Sequence, residues 1–169
     1  MSQALTSTLP SLPAYRATLK PDWIDYNGHL RDAYYGLIVS YAIDDVMDHL
    51  GLDAAYRAGT RCTLYTLEMH IHYLHEVKES DALQVHTSIL DADRKRIHAG
   101  CRFSCARLSE PVATGDVMLL HVHQGEKPAS AAFAPDVEQK LQALKLPPDL
   151  AASWGPRSRS IEILRRAPK

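Results

Sequence analysis

Three groups of residues have the types and spacing to do chemistry. The first is Asp25-Tyr26-Asn27-Gly28-His29, which holds the chain's single asparagine and precedes Asp32 by a short stretch. A compact loop there would bring the Asp25 carboxylate close to a helix starting at Asp32. The outward N–H groups of a helix start carry partial positive charge and suit an oxyanion or a polarised carbonyl. A carboxylate facing that dipole can serve acyl transfer, as nucleophile or as general base toward water. The plain alternative is an Asn-Gly turn with polar loop residues around it. The second group is His70-x-His72 with Glu76, and His121-x-His123. Alternate strand residues share a face, so such a pair can chelate, with the carboxylate as a third ligand. The polar side of a strand explains the same spacing, and no metal or other cofactor is expected. The third is Asp93-Arg94-Lys95-Arg96, either a solvated turn or a small cationic rim for a phosphorylated carrier.

Positioning these groups requires a helix and a set of strands. Tyr15–Lys20 reads as a short strand stopped by Pro21, and Trp23–Arg31 carries turn chemistry. A helix follows, with Asp32 as its expected N-cap and Gly51 as its terminator. Its apolar set, Tyr35, Ile38, Val39, Ala42, Val46 and Leu50, has helical spacing, with Ser40, Asp44 and Asp48 opposite. Ile43 and Met47 widen the apolar face, so most of this helix should be wrapped. From Thr63 the period changes to two: Leu67, Met69, Ile71 and Tyr73 face one way, and Thr66, Glu68, His70 and His72 the other. Alternating strands recur at Leu83–Ile89, Ile97–Cys105 and Val112–His123, and Asp91–Arg96 reads as a hairpin turn. Pro135–Leu146 reads as an amphipathic helix stopped by Pro147-Pro148. The order predicts an α+β fold, an antiparallel sheet with one buried helix. The expected organisation is an arm over 1–13, a domain over 14–124, and a C-terminal helix and basic tail over 125–169. In the last seventeen residues Arg157, Arg159, Arg165, Arg166 and Lys169 stand against Glu162 alone.

Composition narrows the function classes. The 169 residues are 46% hydrophobic and 23% charged, which suits one globular domain. Nineteen basic and twenty acidic side chains leave a formal charge of −1, against a nucleic-acid binder that needs a basic excess. No apolar run approaches the ~18 residues of a membrane span. No Lys or Arg precedes Arg16, so a secretory signal is not expected. Three cysteines, Cys62, Cys101 and Cys105, suggest free thiols and a reducing cytoplasm.

The short strand, Asp-containing loop, long helix and four strands resemble the hotdog fold, a curved sheet wrapped around a central helix. Asp25-Tyr26-Asn27-Gly28-His29-Leu30 followed by Tyr35 resembles the D-x-N-x-H-V-N-N…Y signature of acyl-carrier thioesterases, with Arg31 and Asp32 where the paired asparagines would stand. The placement of Asp25 also resembles that of the catalytic aspartate in the 4-hydroxybenzoyl-CoA thioesterase family. Residues 66–76, 93–98 and 118–122 are similar to the thioesterases of carnitine-degradation operons, which hydrolyse betainyl-CoA. The HxHxxxE run resembles part of the first cupin metal motif, without that motif's glycines or the second motif's asparagine.

The thioesterase resemblance implies that Asp25 is the catalytic carboxylate, that Asn27 and His29 orient it or the water, and that Glu76 assists. It implies that the N–H groups of Asp32 and Ala33 polarise the thioester carbonyl and that Arg94, Lys95 and Arg96 meet coenzyme A. It further implies a homodimer with the site between subunits. By strict alternation Glu76 lies on the face opposite Tyr73, so it reaches the site only through a bulge or strand end. A trimethylammonium acyl group needs aromatic surface. Trp23, Tyr26, Tyr34 and Tyr35 around the loop, with Tyr65 and Tyr73 on the covering strand, are the candidates; as core aromatics they would also be unremarkable. A non-catalytic acyl-CoA-binding hotdog is the other class of reading.

Overall fold

The protein is described from a computed structural model covering residues 11–154. Residues 1–10 of the expected arm and the tail bearing Arg157, Arg159, Glu162, Arg165, Arg166 and Lys169 lie outside the described residues. The chain runs β1 (Tyr15–Ala17), a 3-10 turn (Pro21–Trp23), α1 (Asp32–Leu50), α2 (Ala54–Thr60), β2 (Cys62–Tyr73), β3 (Leu83–Ala92), β4 (Arg96–Cys105), β5 (Ala113–His123), β6 (Ala129–Ser130), α3 (Pro135–Leu144) and α4 (Pro148–Ala152). The strands form one antiparallel sheet in the order β1-β3-β4-β5-β2, with β6 beside β5.

The sheet wraps α1, the expected hotdog arrangement. Tyr35, Ile38, Val39, Ala42, Ile43, Val46, Met47 and Leu50 are the buried face of the helix. They join one core with Leu83, Val85 and Ile89 of β3, Ile97, Ala99, Cys101 and Phe103 of β4, and Val117 and Leu119 of β5. Each fully buried Leu, Ile or Phe contributes roughly 1.5–3 kcal/mol, which is what holds the sheet around the helix. Gly51 closes α1 at φ 86, and its N–H bonds back to the Asp48 and Met47 carbonyls. Phe133 and, from α3, Val137 and Leu141 sit in the same core.

Three details differ from the sequence reading. Arg31 occupies the N-cap position of α1 with extended backbone, and Asp32 is the first helical residue. The Asp32 carboxylate accepts from the Ala33 N–H at 2.8 Å, a local bond in place of a cap. On β2 a bulge between Thr66 and Glu68 leaves Leu67 without a partner on β5. The inserted residue breaks the period: Met69 and Ile71 pack on the core, whereas Leu67 is 55% exposed. α2, capped by Asp53 through the Tyr56 N–H, and α4 add to the expected elements. The outer side of β4 is also covered: the indole of Trp154 lies across Gly100, and Arg102 stacks on that ring at 4.2 Å.

Candidate active site

The loop ahead of α1 is a tight, fully bonded turn. Ile24 pairs with Leu30 across it, the Asp25 N–H donates to the His29 carbonyl, and the Gly28 N–H donates to the Asp25 carbonyl. Gly28 turns the chain at φ 81, in the left-handed region that favours glycine. This geometry points the backbone N–H groups of Asn27 and His29 at one oxygen, Asp25 Oδ1, at 2.8 and 3.0 Å. The His29 N–H is the main cause that holds the Asp25 carboxyl below the usual range, with Asn27 adding to it. Asp25 is therefore ionised at neutral pH and fixed by one oxygen. Asn27 and His29 contact this carboxylate through their backbone N–H groups.

Glu76 comes to the loop because β2 ends at Tyr73. Past the strand end the alternation no longer applies, and the Leu30 N–H donates to the Val77 carbonyl while His29 bridges to Lys78. This lays residues 76–78 along the loop and sets Glu76 Oε2 3.2 Å from His29 Nε2. Three of the four expected catalytic residues thus lie on one turn, and the fourth touches it.

A cavity of about 330 Å³ opens beside the start of α1, lined by His29, Leu30, Asp32, Tyr35, Tyr73 and residues 74–77. Tyr35 and Tyr73 meet edge to face with centroids 5.1 Å apart, and the Tyr73 hydroxyl donates to the Asp32 carbonyl at 3.3 Å. Burial pushes the Tyr35 phenol up to about 12, so it stays a neutral donor. Of the two N–H groups expected to polarise a carbonyl, that of Ala33 is already taken by the Asp32 carboxylate.

The other expected site residues are distributed differently. Trp23 is buried, with Tyr34 stacked on it at 5.0 Å and Lys20 Nζ 5.4 Å from its ring, so its faces are in use. Trp23 and Tyr34 brace the loop from beneath; the Arg31 N–H donates to the Trp23 carbonyl. Tyr26 stands out from the turn, 92% exposed. Tyr65 was expected on the helix-facing side of β2, yet its neighbour Leu64 packs on the core and Tyr65 points outward, toward the opposite end of the strand from Tyr73. The hairpin of Arg94, Lys95 and Arg96 closes the sheet end where β2 begins, so within one chain it lies away from the Asp25 loop. Arg96 is spent on Asp93, at 2.9 Å from Nε, while Arg94 and Lys95 line a second cavity of about 400 Å³.

One histidine of each pair is otherwise occupied: His70 bonds Glu68 at 2.8 Å, and buried His121 bonds the Tyr56 hydroxyl and the Ala131 carbonyl, both at 3.0 Å. Among the described residues no group of three His, Cys, Asp or Glu is gathered as a metal site would require. All three cysteines are free and buried, and burial pushes the Cys101 thiol up to about 12, which removes it as a nucleophile.

The sequence matches the thioesterase-like superfamily over residues 19–153. The chain belongs to this superfamily. It is 42% identical over 144 residues to a betainyl-CoA thioesterase of Pseudomonas aeruginosa, an alignment covering 85% of this chain and 86% of that one. It is also 42% identical over 114 residues to the L-carnitine dehydrogenase/betainyl-CoA thioesterase of Agrobacterium fabrum, 66% of this chain and 22% of that longer protein. Among solved structures, a thioesterase-like protein of Pseudomonas putida KT2440 overlays with a TM-score of 0.71 at 41% identity, covering 94% of this chain and 99% of that one. A Staphylococcus aureus protein solved with CoA shares the fold, with a TM-score of 0.74 at 24% identity over 92% and 94% of the two chains.

This thioesterase-like chain also uses two residues that the sequence reading passed over. Arg107 donates to the Glu76 carbonyl at 2.7 Å and grips both oxygens of Asp81, at 2.9 and 3.1 Å. Asp81 in turn accepts from the Lys78 N–H at 2.9 Å, and its hydrogen bond to Arg107 holds its carboxyl below the usual range. The pair clamps the segment that carries Glu76. The signal available in sequence was only an arginine after β4 and an aspartate before β3, which spacing cannot connect.

Proposed function

We propose that the protein hydrolyses betainyl-CoA to glycine betaine and CoA. The observation that carries this reading is the similarity to the Pseudomonas aeruginosa betainyl-CoA thioesterase across nearly the whole of both chains. The site is compatible with that chemistry. Asp25 supplies an ionised carboxylate, and the His29–Glu76 pair supplies a group able to hold or pass a proton. Hydrolysis adds water across the acyl–sulfur bond: the carbonyl carbon gains a hydroxyl, and the CoA thiolate leaves and takes up the proton. Asp25 acts either on the water or directly on the carbonyl, and Asn27 and His29 fix it in place.

The working unit in this reading is a homodimer. Among the described residues β2 is a twelve-residue edge strand paired with β5 on one side, and Tyr65, Leu67 and Tyr73 are exposed along it. Antiparallel pairing of two such edges extends the sheet and covers them. It also sets the start of one β2 beside the end of the other, which brings the partner subunit's Arg94 and the partner subunit's Lys95 to the end holding the Asp25 loop. There they would meet CoA phosphates. An acyl-CoA substrate and buried free thiols favour a reducing cytoplasm as the compartment.

The test is hydrolysis of an acyl-CoA panel followed with a thiol-trapping reagent, betainyl-CoA included. Turnover that is highest for betainyl-CoA is expected. Binding without turnover would instead support a non-catalytic acyl-CoA-binding hotdog. Sedimentation showing an active monomer at assay concentration would overturn the dimer.

A further inference from the structure

The cavity beside α1 has an electrostatic composition that its position alone does not explain. The N-terminus of a helix carries partial positive charge, which suits a carbonyl oxygen but opposes a cation. Here the first helical residue is Asp32, and Asp32 and Glu76 are both lining residues of the cavity. Among the described residues, no lysine or arginine lines it. The nearest clamp, Arg107, is engaged with Asp81 and the Glu76 carbonyl. Glu76 Oε2 lies 3.2 Å from His29 Nε2. Asp32 accepts from the neutral Ala33 N–H at 2.8 Å and is in no ion pair among the described residues, so its charge is shared between the helix start and the cavity.

Two aromatic rings complete the lining. Tyr35, 3% exposed and packed on Phe103, fixes the deeper ring; Tyr73, tied by its hydroxyl to the Asp32 carbonyl, fixes the other edge-on to it. A quaternary ammonium offers methyl surface and a delocalised positive charge with no N–H to donate. Aromatic surface beside an uncompensated carboxylate is what recognises that chemistry.

We propose that Asp32 is a specificity-determining residue: its carboxylate, next to the Tyr35 and Tyr73 rings, seats the cationic end of the acyl group and offsets the positive start of α1. The inference rests on the thioesterase reading and assigns a charge preference to the cavity that shares His29 and Glu76 with the Asp25 turn. A single substitution separates the two. Asp32→Asn keeps an oxygen for the Ala33 N–H and removes only the charge.

The readout is the ratio of kcat/KM for betainyl-CoA to kcat/KM for 3,3-dimethylbutyryl-CoA, in which carbon replaces the charged nitrogen. In Asp32→Asn this ratio is expected to fall about ten-fold, the size of one charge contact worth about 1.4 kcal/mol. Tyr73→Leu, which removes a ring while keeping the charge, is expected to lower the same ratio and serves if the first variant does not fold. An unchanged ratio in both variants, whether both substrates slow equally or neither slows, would overturn the inference while leaving the thioesterase reading intact. A wild-type enzyme that hydrolyses neither substrate would overturn that reading and this inference with it.

Discussion

Gly28 offers a direct test of how the Asp25 turn works. Its φ of 81 lies in the left-handed region, and a Cβ added there meets nothing within 4 Å. Crowding therefore contributes nothing, and the whole cost of a side chain is backbone conformation. That cost is roughly 1–2 kcal/mol for an ordinary L-residue and smaller for asparagine, which tolerates this region. The two N–H groups that hold Asp25 Oδ1 belong to Asn27 and His29, the immediate neighbours of Gly28. The strain therefore falls on the bonds that position the carboxylate. A penalty of that size shifts the equilibrium between intact and open turn by a factor of about 5–30. Gly28→Ala is expected to lower kcat by up to that factor, Gly28→Asn by less and Gly28→Val by more, the β-branched residue being least at home at positive φ. The melting temperature should fall by about 2–8 °C, because the strain is relieved on unfolding. Steady-state kinetics at saturating substrate, paired with thermal unfolding, reads both quantities. Wild-type kcat in Gly28→Val would refute the idea that this turn places Asp25.

Other variants probe separate links. Gly100→Ala places a methyl where the Trp154 indole lies; displacing that ring should lower Tm by roughly 3–12 °C, read by thermal unfolding and tryptophan emission. Arg107→Ala frees the segment carrying Glu76, and a sub-ångström drift there should cost about ten-fold in kcat; Arg107→Lys should not restore it, because an ammonium cannot grip both oxygens of Asp81. The Asp25 carboxyl, followed by its carbon NMR shift, should titrate below the ordinary ~3.9. Because its folded value is lowered, its contribution to stability is present above the unfolded value and lost as pH falls through the folded one, and Asp25→Asn should remove that dependence.

The parts of this protein governed by local patterning were legible in its sequence. α1 announces itself through the spacing of Tyr35, Ile38, Val39, Ala42 and Val46 and ends at Gly51 because only a residue at ease with positive φ closes it. Strands β3 to β5 follow from period two with short turns. The bulge at Leu67 was not legible, since an inserted residue is defined by its partner strand, and β5 is far along the chain. The same holds at the site. The turn residues Asp25, Asn27, Gly28 and His29 are contiguous and could be read together. Glu76 reached His29 through the end of β2, an escape from alternation that the sequence reading named as a condition without being able to locate it. Arg107 and Asp81 meet only in three dimensions. The aromatic set was overcounted because ring type says nothing about which faces are already covered: Trp23 spends its faces on Tyr34 and Lys20, and only Tyr35 and Tyr73 line the cavity.

The measurement that bears most directly on the account is turnover of betainyl-CoA by Asp25→Asn. The substitution removes one charge and keeps an oxygen that can accept from the Asn27 and His29 N–H groups, so the turn and the fold should persist. Turnover should fall at least about 10²-fold, the typical loss for a general base or nucleophile, with the unfolding curve near that of the parent protein. A variant that unfolds normally and still hydrolyses betainyl-CoA at close to the parent rate would contradict the role of Asp25 and the mechanism built on it.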